Sequence, residues 1–295
     1  MKTLDHSSIK ALISLLEDPS EQIYNEIHQT IIALGSDGIP HLQEAFDTSD
    51  SELQKERIVE ILDKLKIEKL ELDLEAWKEF HQDDLLAGLI QIAKYGHPNL
   101  DEESIKNEIT KMVEAVKANL KEDATPEEIM HVFNQVILYD FGFNGNIRNY
   151  SGINNSFINK VIENKISNPI GLSILYLLIA KELNVPLVGI NSPGHFILGY
   201  VAEEFTKEDI EDGTVIENVN FYVDPFNNGQ ILQLDVYDKW LLQVPYKLED
   251  KKYLPATNRA IIQRVMNNLI YALFTTGEKT TAKELLDINE ALSID

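Results

Sequence analysis

The sequence predicts an α+β protein in which a mixed central region lies between helical segments. Apolar residues recur at helical spacing near both ends of the chain, which is typical of amphipathic helices. Between them, a strongly apolar helix is followed by three short runs with the composition of β-strands. Because a helix followed by successive strands favours an α+β domain, we expect three parts: residues 1–70, 71–255 and 256–295.

The composition is that of an ordinary globular protein with a strong acidic excess. Of the 295 residues, 44% are hydrophobic and 25% are charged, and the formal net charge is -23. Such a charge repels nucleic acid and anionic lipid, so we expect neither as a partner. The first ten residues are polar, and no apolar run is long enough to span a bilayer. We therefore predict a soluble, cytoplasmic protein with no membrane segment.

Cysteine is absent from the chain. This excludes disulfides, thiolate metal ligands and a thiol nucleophile together. Histidine ligands also lack a recognisable spacing, because all histidines but one are spread over different predicted helices. They are His6, His28, His41, His81, His97 and His131. We therefore predict no metal and no cofactor.

The N-terminal helical segment is divided by turn signals into four predicted helices. The breaks fall at residues 18–20, 37–40 and 47–51, each rich in Asp, Ser, Gly or Pro. Over residues 8–66 the paired helices resemble the HEAT-type repeat, whose units stack to bury their apolar faces. A plain four-helix cap is the alternative. Both interpretations predict a segment that docks rather than catalyses.

Three further helices are predicted before the strands. They cover residues 76–95, residues 102–120 and a segment that starts at Pro126 with Thr125 as its N-cap. The next stretch, residues 142–168, is rich in Gly and Asn, which form turns and tolerate a left-handed backbone. We expect a loop there, interrupted by one short helix.

The central region begins with an apolar helix over residues 169–183. Strand-like runs follow at residues 187–190, 196–201 and 215–223. The acidic insertion before the last run lacks the spacing of a calcium loop, which indicates a solvated loop. Residues 258–293 predict a helical hairpin around a glycine, similar to a single tetratricopeptide-like unit.

A cluster of polar residues coincides with the predicted junctions between helix and strands. His195 opens the second strand and Asp224 ends the third, so neighbouring strands would bring imidazole and carboxylate together. The loop before the apolar helix would bring the helix start to the same place. We predict a cleft centred on this pair. Its predicted lining is Asn154, Asn155, Asn168, Pro169, Ser173, Pro193 and Gly194.

The order of these pieces resembles the transglutaminase-like superfamily, which has a papain-like core. The matching motifs are Asn184-Val185-Pro186, Gly194-His195 and Val223-Asp224-Pro225. The resemblance implies a nucleophilic cysteine at the helix start, where this chain has Pro169. Over residues 80–292 the chain resembles the bacterial SirB-type branch more closely, which carries a comparable proline and implies no defined reaction. The carrying motifs are FGFNGN (141–146), NNSFINKVI (154–162), NPIGLSILYL (168–177), SPGHFILGY (192–200), VDPFNNG (223–229) and NRAIIQRVMNNL (258–269).

Several roles are open for the His195 and Asp224 pair. It could tie two strands together, line a binding cleft, or act as a general base that activates water. A serine nucleophile is disfavoured because Ser167 and Ser173 both lie off the helix start and a hydroxyl needs an aligned base. We predict a non-catalytic binding, regulatory or scaffold protein with a protein or peptide partner. The competing hypothesis is an amide-bond hydrolase or transferase.

Overall fold

The computed structural model describes residues 5–192, 194–202, 204–241 and 255–293. Pro193, which belongs to the predicted cleft, lies outside the described residues. The chain divides into two compact units, residues 1–76 and residues 77–295.

The first unit is helical, with four α-helices among its described residues. Asp5 and Ser20 cap the first two helices by accepting hydrogen bonds from backbone N–H groups, and Pro40 stands in the first turn of the third. The fourth helix runs on past the boundary of the unit. The helices are α1 (His6–Ser14), α2 (Glu21–Ile32), α3 (Ile39–Thr48) and α4 (Glu52–Phe80).

A buried arginine ties the turn between α1 and α2 to α4. Arg57 donates hydrogen bonds to the carbonyl oxygens of Leu16 and Asp18 and forms an ion pair with Glu21, although its own side chain is only 6% exposed. The surrounding core is aliphatic, and a charge is tolerated there because its donors are satisfied. Its buried members include Ile13, Leu16, Ile31, Leu42, Ile58 and Ile61.

The second unit begins with a set of helices that precede its sheet. The predicted helix over residues 76–95 is in fact two elements, because α4 continues to Phe80 and Asp84 caps a new helix. Thr125 and Glu128 form a reciprocal capping box at the helix that starts with Pro126, as the sequence predicts. The helices are α5 (Leu85–Gly96), α6 (Glu102–Asn119), α7 (Pro126–Asn134) and, after a π-helical turn at Gln135–Asp140, α8 (Ile158–Asn164).

The described strands form a separate two-stranded parallel pair and a five-stranded antiparallel sheet. The pair is β1 (Asn144–Gly145) with β2 (Ile166–Ser167). The sheet consists of β3 (Leu187–Ile190), β4 (Ile197–Val201), β5 (Val219–Asp224), β6 (Gln230–Gln233) and β7 (Pro255–Ala256). Its strands lie in the order β6-β5-β4-β3-β7.

The helix α9 (Pro169–Leu183) is the centre of the second unit. It contacts α6, α12 (Asn258–Thr276) and the strands β3 and β4, and 11 of its 15 residues are buried. A helix that is apolar on all sides is expected to be buried in this way. Asn168 caps its start and Asn184, in a left-handed conformation at φ 53°, ends it.

Two segments differ from the sequence-based expectation. The predicted strand over residues 215–223 begins only at Val219, since Thr214–Asn218 forms a 3₁₀-helix. The acidic insertion contains a short helix, α10 (Lys207–Glu211), because Thr206 and Asp209 form a capping box.

The C-terminal hairpin of α12 and α13 (Lys279–Ala291) closes the described structure, with Gly277 at φ 100° between the two helices. A further helix, α11 (Leu234–Leu241), follows β6. Among the described residues, no helix is both long enough and apolar enough to cross a bilayer.

Candidate functional site

The structure brings His195 and Asp224 together at the ends of two neighbouring interior strands of the sheet. His195 lies just before β4 and Asp224 ends the antiparallel neighbour β5, with Leu198 opposite Val223. The imidazole Nε2 lies 2.8 Å from the Asp224 Oδ2. Their side chains are 14% and 6% exposed, so the pair is largely shielded from water.

Asp224 accepts four hydrogen bonds from described residues. Its Oδ1 accepts from the backbone N–H groups of Phe226 and Asn227, and its Oδ2 accepts from the Asn227 side-chain amide and from His195. An ionised carboxylate only accepts hydrogen bonds, so the proton of a neutral His195 ring belongs on Nε2. The ring nitrogen left to accept a proton is therefore Nδ1.

Aromatic rings flank the imidazole. The rings of Phe226 and Trp240 meet that of His195 edge to face, at centroid distances of 6.0 and 6.1 Å. Tyr150 meets Phe226 in the same way, at 5.7 Å. The hydrogen bond to Asp224 orients the imidazole, and these aromatic rings pack around it.

A cavity of about 440 Å³ adjoins His195 at the N-terminal end of α9. We refer to it as the His195 cavity. Its described lining comes from the start of α9, from the loop between β1 and α8, from the segment just before β4 and from α12. These residues are Tyr150, Ser151, Gly152, Asn168, Pro169, Ile170, Gly194, His195, Phe196, Arg264, Asn268 and Tyr271.

The helix start in this cavity carries a proline in place of a nucleophile. Pro169 occupies the first turn of α9, and the Asn168 side chain accepts a hydrogen bond from the backbone N–H of Gly171 at 3.0 Å. Proline suits the first turn because the N–H that it lacks would have no partner within the helix. The local sequence therefore builds a well-capped helix that offers no group for covalent chemistry.

Asn155 organises the loop that covers one side of the cavity. Its side-chain amide donates to the carbonyl oxygens of Asn149 and Tyr150, and its Oδ1 accepts from Asn146. The Tyr150 hydroxyl in turn donates to the carbonyl oxygen of Gly194 at 3.1 Å. Burial raises the pKa of Tyr150, which keeps its hydroxyl protonated and able to donate.

Four of the residues named from the sequence line the cavity, namely Asn168, Pro169, Gly194 and His195, and Asp224 lies behind the imidazole. Asn155 acts on the loop rather than on the cavity, and Asn154 is exposed outside the lining. Ser173 is fully buried, with its Oγ 3.5 Å from the carbonyl oxygen of Phe196, so it is not a cavity residue.

Three lining residues on α12 were not predicted. Arg264, Asn268 and Tyr271 recur at intervals of four and three residues, which places them on one face of the helix. The signal was present in the sequence as a polar stripe beside the buried apolar stripe. From the sequence, residues 258–269 are a motif of the family resemblance within a hairpin expected to pack on the core, and none of them is assigned to the cleft.

The histidines are less scattered than the sequence suggested. His6 and His41 meet edge to face with ring centroids 4.7 Å apart, and their ligand atoms and that of Glu44 all lie within 4.8 Å of one another. These three side chains could hold a metal ion. Glu44, however, already pairs with Lys10 at 2.7 Å, and this hydrogen bond lowers its pKa. A metal would have to displace the Lys10 ammonium.

Comparison with known proteins finds relatives of similar sequence in bacteria and in animals. The chain is 26% identical over 196 residues to a UPF0162 protein of Xylella fastidiosa (strain 9a5c), covering 64% of this chain and 65% of that protein. It is 24% identical over 214 residues to a UPF0162 protein of Vibrio cholerae, covering 72% and 74%. It is 29% identical over 144 residues to F-box only protein 21 of Homo sapiens, covering 48% and 21%.

The chain thus spans slightly less than two thirds of the length of the Xylella relative. No solved structure gives a significant match. The sequence profile of the transglutaminase-like superfamily matches residues 103–267, which include α9, His195, Asp224 and the cavity residues of α12 up to Arg264. This match confirms the predicted superfamily, and the chain belongs to the transglutaminase-like superfamily.

Proposed function

We propose that this chain is a non-catalytic, ligand-binding member of its superfamily, and that the His195 cavity receives a segment of a protein or peptide partner. One observation carries the proposal. The imidazole and carboxylate pair opens onto a cavity whose helix start holds Pro169, in a chain without cysteine. The pair is retained at a place where covalent catalysis by a thiol is impossible.

The dimensions and chemistry of the cavity support a ligand. Binding pockets for small molecules occupy roughly 300–1,000 Å³, and the His195 cavity, at about 440 Å³, falls within this range. Its walls combine aromatic rings, such as Tyr150 and Tyr271, with the polar groups of Asn268 and His195. Aromatic surface with a few fixed polar groups is typical of ligand-binding pockets, and one aromatic side chain of a peptide would fill such a space.

Finer assignments belong to the same proposal. We infer that the chain falls in the SirB-type branch, because Pro169 stands at the helix start. The helices over residues 8–66 would form a HEAT-like docking unit, and α12 with α13 would form a tetratricopeptide-like hairpin. These two helical parts would suit a regulatory or scaffold role. The similarity to a protein named for its F-box is consistent with protein partners.

A binding assay with matched variants tests the proposal. A peptide library is screened against the wild-type chain, and the affinity of each hit is measured for His195→Ala and for His131→Ala, an exposed histidine of α7. We expect His195→Ala to weaken binding and His131→Ala to leave it unchanged. A purely structural His195 would instead lower stability without any selective loss of binding, and that result would reject the proposal.

A second candidate function is amide hydrolysis by water. It is favoured by the hydrogen bond from Nε2 to Asp224, which leaves Nδ1 as a general base. In this reaction water would lose a proton to Nδ1 and attack the carbonyl carbon, and the proton would pass to the leaving amine as the C–N bond breaks. Turnover should then vanish in His195→Ala and persist in Ser151→Ala and Ser173→Ala.

A further inference from the structure

Three potential metal ligands lie together on the first unit. His6 stands at the start of α1, and His41 and Glu44 lie on α3. One ligand atom of each side chain lies within 4.8 Å of the ligand atoms of the other two. We refer to these three residues as the His6 cluster. Two imidazole nitrogens with one carboxylate oxygen are a donor set that zinc sites use.

The packing of α1 on α3 brings the cluster together. The two helices contact each other, and both bury apolar side chains in the same core. His41 and Glu44 are three residues apart, so they are neighbours on one face of α3. His6 joins them from α1, where its ring meets that of His41 edge to face at a centroid distance of 4.7 Å. The ligands are thus partly arranged before an ion binds, which lowers the cost of ordering them.

The spacing of the ligand atoms is close to that around a coordinated ion. Bonds of about 2.0–2.2 Å in tetrahedral geometry place neighbouring ligand atoms about 3.3–3.6 Å apart. The separations in the cluster, which reach no further than 4.8 Å, would therefore shorten by about 1.5 Å or less. His6 and Glu44 are exposed and His41 is partly buried. Rotation of the two exposed side chains can supply this change while the helices stay in place.

A lysine ammonium already stands as the cation beside the cluster. The Nζ of Lys10 lies 2.7 Å from the Oε1 of Glu44, and the two side chains are 49% and 51% exposed. An exposed ion pair of this kind contributes little to stability. A bound metal ion would therefore exchange one cation for another at Glu44 and release the ammonium into solvent.

We propose that His6, His41 and Glu44 bind a divalent late transition-metal ion, with Zn²⁺ as the expected ion, and that the ion links α1 to α3. Two imidazoles select such an ion over Mg²⁺ and Ca²⁺, which prefer oxygen ligands. Solvent water completes the coordination. The inference is independent of the proposed function, because the cluster belongs to the first unit and the His195 cavity is lined by residues of the second.

Titration of the full chain with zinc tests the site. The protein is freed of metal with a chelator, and ZnCl₂ is added in the presence of excess MgCl₂. Binding is followed by calorimetry and by the ¹⁵N chemical shifts of the histidine rings. We expect the rings of His6 and His41 to shift together, while the ring of His28 on α2 stays unchanged.

Hydrogen exchange tests whether the ion links the two helices. The ion binds all three ligands only while α1 lies against α3. At a free zinc concentration of about 100 times the Kd, the α1 amides that exchange when α1 detaches should therefore exchange about a hundredfold more slowly.

Variants identify the ligands. His6→Ala, His41→Ala and Glu44→Gln should each weaken zinc binding by about tenfold or more, since loss of even an outer-shell partner of a metal costs about 10–100-fold. His28→Ala, a matched change in the same unit outside the cluster, should leave the affinity unchanged. Lys10→Gln removes the competing ammonium and should tighten zinc binding by up to about fivefold.

Three results would overturn the proposal. If excess zinc leaves the rings of His6 and His41 unshifted, the cluster is a chance surface arrangement. The same conclusion follows if the three ligand variants bind zinc as tightly as His28→Ala does. If zinc binds without slowing exchange in α1, the ion does not link the helices. Thermal unfolding without metal establishes that each variant is folded, and for a variant that does not fold the ring shifts of the wild type decide.

Discussion

The Oδ2 of Asp224 lies 2.8 Å from the Nε2 of His195 and also accepts a hydrogen bond from the side-chain amide of Asn227. The Oδ1 of Asp224 accepts hydrogen bonds from the backbone N–H groups of Phe226 and Asn227. The carboxylate is the organising group of this corner, because four donors are satisfied by one side chain that is itself buried.

Asp224→Asn should therefore both destabilise the protein and change the protonated nitrogen of His195. An amide places an N–H₂ group against at least one donor, and the loss of a charged acceptor costs about 1–3 kcal/mol of unfolding free energy. If the amide nitrogen faces His195, Nε2 becomes an acceptor and the proton moves to Nδ1. Urea denaturation and ring ¹⁵N shifts measure the two effects. Asp238→Asn, at an exposed site on α11, should change neither.

Asn134→Ala should lower the free energy of unfolding by about 1–3 kcal/mol, because the Asn134 side chain links the turn before β6 to helix α9. Its amide donates to the carbonyl oxygen of Gly229 at 2.8 Å, and its Oδ1 accepts from the hydroxyl of Tyr176 at 2.9 Å. All three groups are buried, and burial raises the pKa of Tyr176. Alanine would leave that hydroxyl without its partner.

Tyr176→Phe tests this explanation in a double-mutant cycle. Once the hydroxyl is gone, Asn134→Ala should cost less than it does in the wild-type background. Equal costs in both backgrounds would show that the hydrogen bond to Tyr176 is not what makes Asn134 stabilising.

Local sequence signals account for the parts of the fold that were predicted well. The range of α9 matches the expectation because Asn168 and Pro169 start the helix and Asn184 ends it, and each of these signals acts within one turn. The strand β3 matches for the same reason, since Pro186 precedes it. The late start of β5 was missed because the 3₁₀-helix at Thr214–Asn218 contacts β4, which is a tertiary effect.

The site residues show the same difference between those predicted from local sequence signals and those placed only by tertiary packing. His195 and Asp224 could be paired from the sequence because they flank consecutive strands that run antiparallel. Arg264 could not be placed from its own surroundings, since it reaches the cavity only through the packing of α12 against α9. Ser173 was assigned to the cleft from its distance along the helix, but the rotation of α9 points it to the carbonyl oxygen of Phe196.

His97 should make the stability of the second unit depend on pH. Burial, followed by repulsion from Lys160, lowers its pKa in the folded protein below the ordinary value of 6.5, with Glu163 opposing the shift. The unfolded chain therefore binds a proton first as the pH falls. Stability is therefore unaffected by His97 titration well above pH 6.5. It falls as the pH drops from about 6.5 towards the lower pKa of His97 in the folded protein.

Replacing His97 isolates this effect. The free energy of unfolding is measured from pH 7.5 to pH 5 for the wild type, for His97→Gln and for His131→Gln, the exposed control. We expect a smaller loss of stability towards pH 5 in His97→Gln than in the other two proteins. Parallel curves for all three would contradict the assignment to His97.

The substitution Gly171→Ala, at the start of α9, should have two opposed effects on the stability of the protein. Alanine favours a helix interior over glycine by about 1 kcal/mol. Here, however, an added Cβ would overlap the Oγ of Ser167 and lie 2.9 Å from its Cβ and 3.3 Å from the carbonyl oxygen of Asn155. Overpacking of a close-packed site costs about 1–3 kcal/mol. We expect a net loss of stability, since a rotation of the Ser167 hydroxyl relieves only the first contact.

Two further variants test whether crowding causes the expected loss of stability in Gly171→Ala. In Ser167→Gly, which removes both the Oγ and the Cβ, the added Gly171→Ala should cost less than in the wild type. At Gly38 the nearest atoms to an added Cβ lie 3.6 Å away, an ordinary contact distance, so Gly38→Ala should be neutral or stabilising. If Gly171→Ala behaves like Gly38→Ala in denaturation experiments, the start of α9 is not tightly packed. The capped, nucleophile-free helix start would then be looser than its hydrogen bonds indicate.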